Sequence, residues 1–187
     1  MDYPGKLKKE YHKYKTYGNR GMDLEYLINL ANEFYKEEDI ALIYKKPTPI
    51  GINKTNYKNG TIQGFFKEQS TLDYNGIYKG YYIDFDAKVT NSTTSFPLSN
   101  IHEHQLKHID GVIRHGGIAF LIIAMNAEYY LLPGEKLLQF IKDNSRKSIP
   151  YNYIKENALK ITLTIKPTLD YIKAVDILVK ERSKDEE

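Results

Sequence analysis

One stretch constrains the fold of this chain more than any other: residues 71–88, TLDYNGIYKGYYIDFDAK. Side chains on a β-strand alternate between its two faces. From Tyr82 onward Ile83, Phe85, Ala87 and Val89 form an apolar side, while Tyr82, Asp84, Asp86 and Lys88 form a polar one. Such a strand buries one face in a core and carries two acids and a lysine on the other. Asn75-Gly76 predicts a hairpin-like turn that folds Asp73 back toward the polar face. Asp86-Ala87-Lys88 is also the chain's single (D/E)xK triplet.

Acids and a lysine converging on one strand face suit a magnesium-dependent phosphodiesterase. Mg²⁺ takes hard oxygen ligands and keeps several waters, so the carboxylates of Asp73 and Asp86 with a substrate phosphate suffice. Lys88 would hold the attacking water or steady charge on the pentavalent transition state. The same residues also fit an ion pair on a sheet surface.

The chain has 187 residues, 41% hydrophobic and 27% charged, which is ordinary for a single globular domain with its own core. The longest apolar run, Ile118 to Met125, is too short to span a bilayer. The N-terminus has no apolar h-region. The expectation is a cytoplasmic protein with no membrane partner. Having no cysteine, the chain has neither disulfides nor thiolate zinc sites. Net charge is +3, with lysines and tyrosines gathered in residues 1–18 and acids at the end, 181–187. A basic, aromatic-rich arm suits a polyanionic partner, or is a solvated tail.

Along the chain, Leu24, Leu27, Ile28, Ala31, Phe34 and Tyr35 predict a helix over residues 21–37 with Asn19 as N-cap. Glu25 borders that stripe and either supports a site beneath it or is a solvated first-turn acid. Ala41 to Tyr44 reads as a short buried strand. Two polar arms, 51–58 and 61–68, joined by Asn59-Gly60, predict a projecting hairpin bearing Lys54, Lys58 and Lys67. Ser99 to His115 reads as one helix with Gln105 on its apolar stripe, either bonded within the core or reaching a metal. His104 and His108 share a face at zinc-like spacing, but without an HExxH arrangement or a cysteine they read rather as rim histidines facing a phosphate-lined cleft or as plain surface histidines. Strands at 118–124 and 128–132 and a helix at 135–142 follow; 153–179 is unresolved by pattern. This order predicts a mixed α/β domain with helices flanking a sheet.

The chain resembles the RecU-type Holliday-junction resolvases, nucleases of the restriction-endonuclease-like PD-(D/E)xK superfamily. The resemblance runs through NRGMDLE at 19–25, KKPTPI at 45–50, STLDYNGIYKG at 70–80, IDFDAK at 83–88, SFPLSNIHEHQ at 95–105, GGIAF at 116–120 and RKSIP at 146–150. It implies a restriction-endonuclease-like mixed sheet flanked by helices, with residues 51–68 as a short junction-entering stalk. Residues 19–180 would be the nuclease domain, 1–18 a flexible basic arm and 181–187 an acidic tail. It further implies a homodimer that nicks two symmetric strands of a four-way junction in recombination and repair, acting beside a recombinase and a branch-migration helicase. By the resemblance Thr71, Asp73, Asp86 and Gln105 form the Mg²⁺ site, with Mn²⁺ able to substitute. Lys88 stabilises the transition state, and Arg20, Lys54, Lys58 and Lys67 are DNA-binding candidates. Asp86 stands where the family usually has glutamate, and Leu72 where it has a second threonine. The alternatives are a different nuclease on the same fold and a non-catalytic junction-binding, recombinase-modulating protein.

Overall fold

The computed structural model describes residues 20–47, 49–56, 58–66 and 71–185. A six-stranded mixed sheet lies at its centre, in the order β1-β4-β5-β7-β8-β10. Its strands are β1 (Leu42–Lys45), β4 (Tyr74–Tyr78), β5 (Tyr81–Val89), β7 (Ile118–Met125), β8 (Glu128–Pro133) and β10 (Leu159–Ile161). Only β5 and β7 pair in parallel; the other neighbours are antiparallel. The β5–β7 crossover carries helix α2 (Glu103–Arg114), as a parallel connection requires. Strand β7, IAFLIIAM, is buried almost throughout, the pattern of a strand covered on both faces.

One face of the sheet packs against α1 (Arg20–Glu37) and α5 (Ile172–Asp185) through Leu24, Ile28, Tyr35, Ile83, Phe85, Phe120 and Val175. The other packs against α2, α3 (Gly134–Asp143) and α4 (Tyr151–Asn157) through Leu72, Ile109, Leu121, Leu137 and Ile154. Three rings stack across β4, β5 and β7 on the first face. Tyr74 lies 4.9 Å from Phe85 and Phe85 lies 4.7 Å from Phe120, both pairs 8° from parallel. They are direct partners in the strand register, so the rings fix the strand carrying the acids. A small accessory pair joins β6 (Ser95–Pro97) to β9 (Ser148–Pro150).

Several expectations are corrected. Asn75-Gly76 is not a turn but the middle of β4, with Gly76 opposite Ile43 of β1. A Cβ at Gly76 would stand 2.1 Å from the Leu42 carbonyl oxygen, so the glycine serves close strand approach. The actual turn is Lys79-Gly80, with φ of 49° and 84°, both positive as a two-residue hairpin turn requires. Strand β1 is not buried: it is the sheet's edge, with only Ile43 covered. The helix expected from Ser99 begins at Glu103, after a 3₁₀ turn at Leu98–Asn100. The unassigned region holds α4, β10 and α5, and the expected tail boundary at 180 falls inside α5.

The hairpin is present as β2 (Ile50–Asn56) and β3 (Thr61–Phe66), which among the described residues pair only with each other and turn through Gly60 at φ 61°. Ile50, Ile52, Ile62 and Phe65 are each more than half exposed, so its apolar side is not packed into the core. The arm, Asn19 and Lys67 lie outside the described residues. Among the described residues, no helix is long and apolar enough to cross a membrane.

Candidate active site

The alternation along β5 places its acids under α2 and its rings under α1. Ile83 and Phe85 enter the α1 side of the core, while Asp84 and Asp86 are both 0% exposed. At these two positions the polar face of the strand is therefore as buried as the apolar one, and each acid has its own set of donors.

Asp86 Oδ2 accepts from Gln105 Nε2 at 2.6 Å and pairs with Lys88 Nζ at 2.8 Å. Its Oδ1 accepts from the Ala87 amide at 2.9 Å. Asp73 hydrogen-bonds the Asp86 carboxyl, and its pKa is raised to about 7. Burial is the main cause; the hydrogen bond and charge of Asp86 add to it, Lys88 opposes it, and Glu25 contributes a smaller rise. Two carboxyl groups this close do not both ionise readily at neutral pH.

Gln105 is third in α2, and its Oε1 accepts from the His102 amide at 3.1 Å, closing a capping box. The side chain thus caps the helix with its oxygen and steadies Asp86 with its nitrogen. Direct ligation of a cation by its oxygen would require the amide to turn over.

Asp84 is the centre of a second cluster. Lys46 Nζ donates to both of its oxygens at 2.8 Å, Tyr82 Oη donates to Oδ2 at 2.8 Å, and His108 Nε2 lies 2.7 Å from the same oxygen. Lys46 also donates to Thr71 Oγ1 at 3.0 Å, and its amide donates to the Asp73 carbonyl at 2.7 Å. One lysine therefore fastens the segment carrying Thr71 and Asp73 to β5. Sequence reasoning gave Asp84 no role of its own and read His108, with His104, as a rim or surface histidine ahead of a zinc ligand. The signals were there: Asp84 shares a strand face with Asp86, and His108 follows Gln105 by one helical turn. Lys46 stands inside the quoted KKPTPI motif.

Glu25 pairs with Lys45 at 2.5 Å at the rim. Tyr74 is fully buried, its hydroxyl without a partner among the described residues, and burial followed by the charges of Glu25, Asp73 and Asp86 holds its pKa above the ordinary tyrosine value. Arg20 is the first residue of α1, while Lys54 and Lys58 are exposed on the hairpin, away from the acids in the strand order.

Among the described residues no group of three or more His, Asp or Glu side chains could hold a metal. A cation here would rest on Asp73 and Asp86, with neutral oxygens completing the set. That donor set fits a hard divalent ion: the two carboxyl groups share a site that disfavours double ionisation, and a dication relieves it.

A family model described as recombination protein U, RecU, matches residues 19–177. The Holliday junction resolvase RecU of Staphylococcus aureus strain JH9 is 47% identical over 178 residues, covering 90% of this chain and 86% of that protein. The protein of the same name from strain MRSA252 has the same identity and coverage. Among solved structures, the Holliday junction resolvase Hjc of Archaeoglobus fulgidus aligns with a TM-score of 0.43 at 11% identity, over 76% of this chain and 93% of its own.

Proposed function

The chain belongs to the RecU family, and from that premise we propose that it is an endonuclease that resolves four-way DNA junctions. The observation that carries the reading is the pair Asp73 and Asp86, hydrogen-bonded to each other beside Lys88, in a chain 47% identical to proteins named Holliday junction resolvase.

In this reading the mixed sheet is the restriction-endonuclease-like core. Thr71, Asp73 and Asp86 hold Mg²⁺, or Mn²⁺ in its place, with Gln105 beside them. The ion supplies Lewis-acid polarisation of the phosphoryl oxygen and lowers the pKa of a coordinated water. The protein's own part is positional and electrostatic. Gln105 fixes the rotamer of Asp86, and Lys46 fixes the Thr71–Asp73 segment against Asp84. Lys88, four-fifths buried beside Asp86, presents its ammonium where negative charge grows on the phosphoryl group, in a site dry enough to make that charge count. Glu25 and Lys45 border the entrance.

Resolution needs two cuts on symmetric strands, so the acting unit is a homodimer with one site per protomer. The hairpin at 50–66 enters the junction, and Arg20, Lys54, Lys58 and Lys67 contact phosphates. The protein works on chromosomal DNA in the cytoplasm, beside a recombinase and a branch-migration helicase.

The deciding experiment incubates purified protein with a synthetic four-way junction and with linear duplex of the same sequence, in Mg²⁺ and in EDTA. Paired nicks in the junction alone, lost in EDTA and in Asp73→Ala, are expected. Equal cutting of both DNAs would point to a nuclease without junction selectivity. Junction binding without cutting in any divalent metal would leave only the binding role.

A further inference from the structure

Helix α2 runs antiparallel to β5, and the two step past each other in register. Gln105 meets Asp86 and His108 meets Asp84. Beyond them, where Tyr82 faces the last turns of the helix, the groove opens into a cavity of about 530 Å³ lined by Tyr82, Lys107, Gly111, Val112, His115 and Gly117, with His108 on the wall nearest the acids. That volume lies within the range of small-molecule sites. At a strand rise of about 3.3 Å per residue, Tyr82 is about 13 Å along β5 from Asp86.

Two glycines keep this space open. A Cβ at Gly111 would meet nothing within 4 Å, although glycine inside a helix is less stable than alanine. A Cβ at Gly117 would stand 2.6 Å from Val112 Cγ1 and 3.3 Å from Tyr82 Cδ1, so any side chain there would crowd the floor. The two ends of the cavity differ in chemistry. Val112 and the glycines form an apolar floor, and the Tyr82 ring stands 40% exposed above it. Lys107 and His115 form a basic, exposed rim. Lys107 pairs with Glu103 at 2.6 Å, but both side chains are at least three-quarters exposed, and such a pair yields readily to a stronger anion. The imidazole of His115 lies 2.9 Å from the Gly111 carbonyl through Nδ1, which leaves Nε2 for a ligand. Arg182 donates to the Gly116 carbonyl at 2.7 Å and pairs with Glu135 at 2.7 Å, so its charge behind the rim is already matched.

We propose that this cavity is a nucleotide subsite of the DNA groove, an assignment that rests on the reading of the protein as a junction nuclease. It seats a nucleotide of the cut strand beyond the one that adjoins the scissile phosphate. The sugar and base lie against Tyr82, Val112 and the glycine floor, where ring stacking is tolerant of base identity. Its phosphate lies on Lys107, a contact that releases counterions from the DNA, with His115 Nε2 beside it. The occupant needs an apolar, flat body and an anionic group at one end, which is what a nucleotide offers.

The test measures binding of a fluorescein-labelled four-way junction, and of a linear duplex of the same sequence, by anisotropy in Ca²⁺, together with Mg²⁺ cleavage and thermal melting. Gly111→Leu fills the cavity with a helix-favouring side chain. The subsite requires that it keep the wild-type Tm or exceed it, while Kd for the bound DNA rises at least tenfold. The double variant Lys107→Ala/His115→Ala, altered only at exposed positions, is expected to weaken binding at least fivefold and to flatten the dependence of log Kd on log salt. A folded Gly111→Leu that binds within twofold of wild type overturns the proposal. If Gly111→Leu fails to fold, a double variant with wild-type affinity and salt slope overturns it equally. Wild type that binds linear duplex as well as junction refutes junction selectivity and still leaves the subsite measurable on the duplex.

Discussion

The chemistry of the candidate site turns on how two neighbouring aspartates are kept from behaving alike. Asp86 is fully buried and receives Gln105, Lys88 and a backbone amide, whereas Asp73 is held protonated to about pH 7 by burial and by Asp86. A folded-state pKa above the unfolded value means that the native protein holds a proton the unfolded chain has lost. The stabilisation is complete below the ordinary aspartate value and disappears as pH rises through 7. Metal-free protein should therefore lose thermal stability between about pH 4 and pH 7. Asp73→Asn, which cannot ionise, should flatten that part of the profile in EDTA, melt above wild type at pH 8 and cut no DNA. Identical slopes for wild type and Asp73→Asn would refute the assignment. The other acid tests packing rather than protonation. Asp84→Ala leaves the Lys46 ammonium, 19% exposed, without its bidentate partner and frees the Thr71–Asp73 segment. Removing one member of a buried ion pair costs about 3–5 kcal/mol, so a urea midpoint corresponding to a loss below about 1 kcal/mol would show that Asp84 does not hold this cluster together.

At the scale of elements, the sequence was most legible where periodicity and burial agree. Strict alternation identified β5 and both its faces, and the helical stripe of Leu24, Ile28, Ala31 and Tyr35 identified α1, all four residues being buried. Asp86 and Lys88 were legible as neighbours on one strand face for the same reason, whereas Asp73 lies beside β5 through the Lys79-Gly80 turn and not through the one expected at Asn75-Gly76. Legibility failed where a local signal served a tertiary purpose. Asn-Gly is a strong turn signal, yet at 75–76 the missing Cβ makes room for β1, and Lys79 takes the turn at positive φ instead. Ile101 looked helical by spacing but is buried ahead of the helix, because the capping pair His102–Gln105 sets the start of α2. Within residues 153–179, α4 with 7 residues and β10 with 3 were unreadable because they are too short to display a period. The Lys46–Asp84–His108 cluster joins residues 24 and 38 apart in sequence, a proximity that no local pattern encodes. Gly76→Ala tests the packing account: its Cβ would lie 2.6 Å from Ile43 Cα, and relief by moving β1 should cost about 3 kcal/mol, at the upper end of overpacking effects. A variant melting within a degree of wild type would mean that β1 does not constrain this position.

For the whole molecule, the division between body and hairpin decides what each contributes. All the acids and their donors sit on the six-stranded sheet and the elements beside it, whereas among the described residues β2 and β3 pair only with each other and leave Ile50, Ile52, Ile62 and Phe65 exposed. The apolar area that stabilises the fold lies almost entirely in the two layers around the sheet, and hydrophobic stabilisation scales with the area removed from water. Replacing residues 50–66 with a short Gly-Ser linker should therefore leave the Tm within a few degrees of wild type. The catalytic groups should survive too, because among the described residues their hydrogen-bond partners lie outside the hairpin. What should change is selectivity: an element that reaches into the open centre of a junction adds contacts that linear duplex cannot supply, so its loss should lower junction affinity while sparing duplex affinity. The measurement is the ratio of Kd values for the two DNAs at fixed salt, because phosphate contacts make affinity steeply salt-dependent. A truncated protein that folds, cuts in Mg²⁺ and keeps the wild-type ratio would place junction recognition on the body, in the groove between α2 and β5. A truncated protein that fails to fold would show instead that the hairpin is part of the structural core.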